Sequence, residues 1–232
     1  LSRIAQLQPG IQLIAPTELV ANKLRDCGFN YVQIVPYPIT PSAMPDKEQA
    51  QAFRYLLSAG AARTDKGIGY IVSFIAHLAE IGEDIPVIVQ TSPDHYDKYD
   101  DTTRLALDRL NAINYPLLSF QSETLPLDRY LNLFSGAICL QPYDKLDFAD
   151  RISGITLDAM SCGAPVVTLA GTWIARIVER FSAGEVLDEA DPRAMLAAVR
   201  RIVADYERYH NNARQAGEVL QQVLRDKRYR VI

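Results

Sequence analysis

From Phe53 onward the chain alternates short apolar runs with amphipathic segments, and that alternation leaves few folds open. Pro86-Val87-Ile88-Val89 and Ala137-Ile138-Cys139-Leu140 are almost continuously apolar, as strands buried on both faces must be. Upstream of both, Ile68, Ile71, Val72, Ile75, Leu78 and Ala79 recur at three- and four-residue spacing, the stripe of an amphipathic helix. The pattern predicts strands at 53–58, 85–90, 117–120, 137–141, 165–169 and 185–187. It predicts helices at 66–81, 103–113, 126–135, 154–162, 173–182, 192–206 and 209–226. Strands that alternate with helices pair in parallel and carry helices on both faces, so the expected class is α/β with a doubly wound parallel sheet.

Nearer the start of the chain, Ile11–Ala15 reads as a strand, and Thr17 can cap a helix running through Cys27 that Gly28 would end. Tyr31–Val35 is the next strand. Pro36, Pro38, Pro41 and Pro45 then impose a rigid extended connection, because proline fixes φ and blocks a helix.

The most informative stretch for function is Asp150–Thr168. Ser153 or Gly154 can open a helix, which places Asp150 in the preceding loop and Asp158 about one turn inside. The first amides of such a helix have no intrahelical partner and favour an anion. Two carboxylates beside that anion cannot bind phosphate, but they can accept hydrogen bonds from sugar or ribose hydroxyls. A second constellation lies at the end of the 53–58 strand. A small-residue turn, Ala59-Gly60-Ala61-Ala62, leads to Arg63-Thr64-Asp65-Lys66-Gly67 and a helix start. Arg63 can grip a diphosphate with its planar fork and Lys66 adds a compact point charge. The plainer readings are a solvated loop for Asp150, an exposed helix position for Asp158, and a surface turn in which Arg63 pairs with Asp65.

Together these residues resemble the donor site of retaining glycosyltransferases of the GT-B fold (glycosyl transferases group 1, family 4-like). Asp150 and Asp158 stand at the two Glu positions of that family's Glu-x7-Glu motif, and Arg63, Lys66 and Gly67 match its Arg…Lys-Gly element. Asp is one methylene shorter than Glu, and Gly154 falls one residue later than the family's glycine. The resemblance implies a Rossmann-like C-terminal domain, with the two elements in the order seen here, about ninety residues apart. By the same resemblance, Arg63, Lys66 and Asp150 act in catalysis. Gly67, Tyr143, Ser153, Gly154, Ile155 and Asp158 join them in binding the donor. Residues 1–41 would be the remnant of an N-terminal acceptor domain with its crossover, and 42–232 the donor-binding domain. The chain begins at Leu1 rather than Met and is expected to be part of a longer protein.

The activity this resemblance implies is that of a hexosyltransferase-like enzyme of polysaccharide biosynthesis, retaining and metal-independent, using a UDP- or GDP-sugar and no other cofactor. Its partners would be an acceptor saccharide or lipid-linked saccharide and the missing N-terminal domain. A cytoplasmic location is implied, with peripheral membrane contact left open. Two alternatives stay open: a non-catalytic GT-B-like binding or assembly module, and a sugar-nucleotide epimerase or phosphorylase on the same scaffold.

Composition excludes several other classes. A net charge of −4 and a pI near 5.4 argue against a general nucleic-acid binder, which needs a basic face. Cys27, Cys139 and Cys162 are widely spaced, and with only His77, His95 and His210 they make no zinc pattern. They suit a reduced compartment, with Cys139 and Cys162 as small core residues. Pro93–Asp101 is acidic but holds no Asp-x-Asp and reads as an exposed loop. Tyr143 follows an apolar strand and is expected to wall the cleft, either packed on the donor or hydrogen-bonded. Gly171 allows close backbone approach, and Trp173, the only tryptophan, is expected to anchor packing. Arg225, Lys227, Arg228 and Arg230 read as a solvated basic end.

Overall fold

A computed structural model describes residues 1–35, 52–91 and 99–225. The proline-rich connection, most of the acidic loop and the side chains of the terminal basic cluster lie outside the described residues. The chain divides into two compact units, Leu1–Pro41 with Val219–Ile232, and Ser42–Glu218.

In the first unit, helix α1 (Ser2–Leu7) precedes strand β1 (Gln12–Ala15), helix α2 (Glu18–Asp26) and strand β2 (Tyr31–Ile34). β1 and β2 pair in parallel, with Gln12 opposite Tyr31. Thr17 caps α2 as expected, its hydroxyl accepting from the Val20 amide at 3.2 Å. Such a cap is worth roughly 0.5–2 kcal/mol. Periodicity does not predict α1. Only Ala5 of it is buried, so it carries no apolar stripe to read.

The second unit runs β3 (Tyr55–Ser58), α3 (Ile68–Ile81), β4 (Val87–Gln90), α4 (Asp101–Ala112), β5 (Leu118–Gln121), α5 (Leu127–Asn132) and β6 (Ala137–Gln141). It continues with α6 (Gly154–Ser161), β7 (Val166–Leu169), α7 (Trp173–Phe181), β8 (Gly184–Leu187), α8 (Pro192–Ala204) and α9 (Tyr206–Arg225), the last belonging to this unit as far as Glu218. All six strands pair in parallel in the order β5-β4-β3-β6-β7-β8. Counted from β3 that order is 3-2-1-4-5-6, the doubly wound arrangement of a Rossmann-like sheet.

Every residue of β6 and β7 is buried, as their continuous apolar runs required. Leu56, Ile138, Leu140 and Val167 face one side of the sheet and share a core with Ile71, Phe74 and Ile75 of α3 and Met195, Val199 and Ile202 of α8. Alternation turns Gln141 to the other face, where its Oε1 accepts from the Thr156 hydroxyl of α6 at 2.6 Å. Helices therefore cover both faces. The predicted helix 66–81 is broken by Gly67, which sits at φ 74° between a 3₁₀ turn at Thr64–Lys66 and α3. A left-handed residue cannot continue either helix, so glycine marks the join.

Candidate functional site

In an open α/β sheet, ligands bind beyond the carboxyl ends of the strands where the strand order reverses. Here that point lies between β3 and β6, whose neighbours in sequence depart to opposite sides. The loops leaving these two strands are the ones that carry Arg63-Thr64-Asp65-Lys66-Gly67 and Asp150-Arg151-Ile152-Ser153. The topology brings both sequence motifs to one place.

Close backbone contact joins the two loops. A Cβ on Gly67 would lie 2.1 Å from the Pro142 carbonyl oxygen, so no other residue fits there. The Asp144 amide donates to the Asp65 carbonyl at 3.0 Å. Gly60 packs on Ile155 and beside the Lys66 ammonium, where an added Cβ would stand 3.1 and 3.0 Å away. Its amide donates to Gln90 Oε1 at 2.6 Å, which ties the first loop to the end of β4. Gly67 and Ile155 thus serve the fit between loops, a role the motif match did not reveal.

Charge is concentrated around Asp65. The Arg63 fork donates to both its carboxylate oxygens, Nε at 2.9 Å and Nη2 at 2.7 Å. Arg151 reaches the same carboxylate from the second loop at 3.2 Å, with its guanidinium 4.9 Å from the Phe148 ring centroid. The Arg63–Asp65 pair expected of a surface turn is present, and it lies half-buried inside the site rather than apart from it. Lys66 lies 5.8 Å from the Tyr143 ring centroid. Its pKa is lowered to about 8 by burial first and by the Arg63 charge next, with Asp65 opposing and Arg151 adding to the fall.

At the second loop, Ser153 caps α6, its hydroxyl accepting from the Thr156 amide at 3.2 Å. One acceptor position of its oxygen is thus engaged by the helix. Gly154 is exposed, with open space where a Cβ would stand. The first amides of α6, at Gly154 and Ile155, have no partner within the helix. Asp150 is 18% exposed and lies 3.6 Å from Arg176 Nη2, which also donates to the Ala149 carbonyl at 2.6 Å. It is not a solvated loop carboxylate.

Asp158 is not an exposed helix residue either. Tyr130 on α5 donates its hydroxyl to Asp158 Oδ2 at 2.8 Å. Burial raises the Asp158 pKa above its ordinary value, and the Tyr130 hydrogen bond pulls against that rise. Burial, and then the facing carboxylate, push the Tyr130 hydroxyl well above the usual phenol range.

Tyr143 is 2% exposed, its ring packs 4.6 Å from Phe148, and among the described residues its buried hydroxyl has no hydrogen-bond partner. The Ser153 hydroxyl is nearby but outside hydrogen-bonding geometry. Packed in this way, Tyr143 backs the Lys66 ammonium. Trp173 is buried as expected, its amide donating to the Phe148 carbonyl at 2.7 Å. Cys139 and Cys162 are buried, and burial pushes each thiol up to about 12, so neither is a nucleophile at neutral pH. Among the described residues no group of three or more His, Cys, Asp or Glu is placed to hold a metal ion. No described helix is long and apolar enough to cross a membrane.

Three residues of the site escape the sequence motifs: Arg151, Arg176 and Tyr130. Arg151 had a signal, its place beside Asp150 in the same loop. Tyr130 and Arg176 meet the site only through the tertiary fold.

Comparison with known proteins agrees with this fold. No curated protein matches the chain. Among solved structures, sucrose-phosphate synthase from Thermosynechococcus elongatus superposes with a TM-score of 0.68 at 18% identity, over 91% of this chain and 53% of the other. The pneumococcal O-GlcNAc transferase GtfA, solved with UDP and GlcNAc, gives 0.67 at 14% identity, over 97% and 46%. HepE from Anabaena, solved with UDP and glucose, gives 0.67 at 14% identity, over 97% and 64%. At such identities the likeness is one of fold, and this chain spans about half to two thirds of those proteins. The family model of the glycosyl transferases group 1 matches residues 42–219, which include both loops and the whole six-stranded sheet. The chain belongs to the glycosyl transferases group 1 family, with a Rossmann-like domain of the GT-B type.

Proposed function

We propose that this chain carries the donor-binding half of a hexosyltransferase, which moves a sugar from a nucleoside diphosphate to a saccharide or lipid-linked saccharide. The observation behind the proposal is the meeting of Arg63, Lys66 and the α6 start at the switch point of the sheet. As the bond to the anomeric carbon breaks, negative charge grows on the departing diphosphate. Arg63, Lys66 and the Gly154 and Ile155 amides are cations and dipoles suited to stabilise it. Asp150 would accept from hydroxyls of the transferred sugar, and Asp158 from the ribose. Structures of the same fold solved with UDP and a sugar make UDP the first nucleotide to test.

Retention of anomeric configuration, a cytoplasmic location and the absence of any cofactor besides the donor belong to the same reading. Transfer by the full-length protein should then survive EDTA, and loss restored by Mg²⁺ or Mn²⁺ would contradict it. The direct test is calorimetric titration of UDP, GDP, ADP and their sugars into wild type, Arg63→Ala and Lys66→Ala. Both variants should weaken binding, Arg63→Ala more, because a bidentate grip is not replaced by a point charge. Equal affinity in all three proteins would put the pocket elsewhere.

A further inference from the structure

Arg63 and Arg151 come from loops that leave two different strands, yet both hold the single carboxylate of Asp65. Lys66 is close enough to feel all three charges. The cluster thus contains three cations and one anion, and the anion is a side chain of the protein itself. A guanidinium recognises a carboxylate and a phosphate with the same parallel pair of N–H donors. The donors that Asp65 satisfies in the free protein can be satisfied equally well by a phosphate oxygen.

We infer that Arg151 is a third cation of the anion site, and that the Asp65 carboxylate is the internal anion a ligand's diphosphate displaces. The inference rests on the proposed diphosphate site but concerns different residues. Arg151 has the reach for the exchange, because half of its side chain is exposed and its guanidinium rests on Phe148 rather than deep in the core. Asp65 stays beside the site after it is displaced, since its backbone carbonyl is held by the Asp144 amide. A retained negative charge there would weaken a bound diphosphate and speed its departure.

The test is calorimetry of the full-length protein with three probes, inorganic pyrophosphate, UDP and uridine. Arg151→Gln keeps a polar side chain in the loop and removes the charge. It should weaken pyrophosphate and UDP on the order of tenfold, leave uridine unchanged, and flatten the salt dependence of UDP binding. Asp65→Asn should tighten pyrophosphate and UDP by a similar factor, since it removes the competing anion. If wild type binds UDP, Arg63→Ala weakens it and Arg151→Gln does not, the third cation is refuted while the diphosphate site stands. If Asp65→Asn weakens UDP as Arg63→Ala does, Asp65 is a strut that orients the arginines, and the exchange is refuted. Failure of wild type to bind either UDP or pyrophosphate overturns both readings. Melting temperatures of the variants, read alongside, separate lost binding from lost fold, and Arg151→Lys, which keeps a charge, should recover part of the affinity.

Discussion

The Tyr130 hydroxyl on α5 donates to the Asp158 carboxylate on α6 at 2.8 Å, joining α5 to the helix that follows the second loop. Burial makes the charged form of Asp158 costly, so the folded protein keeps this proton to higher pH than the unfolded chain does. Stability from such a group is full below the unfolded value near 3.8 and is lost as pH rises through the folded value. At neutral pH the Asp158 charge is thus destabilising, and Tyr130 relieves part of that cost. Asp158→Asn keeps an acceptor for Tyr130 and should raise the melting temperature at pH 7.5, with the gain shrinking toward pH 4. The same variant should weaken UDP by roughly 1.5–3 kcal/mol, the worth of a hydrogen bond to a charged group. Thermal melts at the two pH values check the first half. A carboxylate kept for stability would show the opposite sign.

Asp150 should behave differently. It stands in the loop before α6 with Arg176 3.6 Å away, whereas Asp158 lies within the helix. Asp150→Ala should leave UDP affinity nearly intact and reduce the advantage of the sugar nucleotide over free UDP. Loss of a negative charge near phosphate can itself tighten UDP, a long-range effect that salt screens. Titrations at two ionic strengths separate the two effects. Loss of bare UDP binding in Asp150→Ala, with Asp158→Ala unaffected, would show that the two carboxylates have been assigned the wrong way round.

Gly67 and Gly69 provide a matched pair. At Gly67 the left-handed φ of 74° alone costs a side chain about 1–2 kcal/mol, and its Cβ would strike the Pro142 carbonyl at 2.1 Å. Two residues on, in the first turn of α3, a Cβ on Gly69 meets nothing within 4 Å. Gly67→Ala should lower the denaturant midpoint by the equivalent of about 2 kcal/mol or more at unchanged m. Gly69→Ala should be neutral or stabilising by about 0.5–1 kcal/mol, as alanine is the better helix former. Equal effects would mean that the contact between the two loops does not constrain the site.

Much of the fold is legible in the sequence because it speaks through periodicity. The run Ala137–Gln141 can be read to the residue, since its apolar stretch is bounded by Gly136 on one side and Pro142 on the other. The start of α3 reads two residues early, because the apolar stripe shows a helix face and not the left-handed glycine that interrupts it. Arg63, Lys66, Asp150 and Asp158 stand out by spacing and residue type. Their partners do not. Arg176 is 26 residues beyond Asp150 and Tyr130 is 28 before Asp158, and no local pattern encodes a contact that only sheet topology creates. The burial of Tyr143 is hidden for a related reason. A tyrosine after a strand reads as a cleft wall, while its burial against Phe148 depends on how the loop Asp144–Asp150 folds back.

Lys66 gives the site a pH dependence of definite sign. In the free protein its pKa is lowered to about 8, chiefly by burial and by the Arg63 charge, with Arg151 contributing and Asp65 opposing. A bound diphosphate adds negative charge and favours the ammonium, so the liganded protein holds this proton to higher pH than the free protein does. Above the range in which the UDP phosphate itself titrates, affinity for UDP should therefore fall as pH rises through about 8 toward the higher pKa of the complex. Binding near pH 8.5 should take up protons, which appears in calorimetry as a heat that scales with the ionisation enthalpy of the buffer. Lys66→Arg keeps a charge that does not titrate in this range. It should bind UDP with an affinity almost independent of pH from about 7 to 9.5, apart from ionisation of uracil itself, which titration with ADP in parallel removes. If wild type and Lys66→Arg share one pH profile with both nucleotides, the ammonium of Lys66 does not face the phosphates.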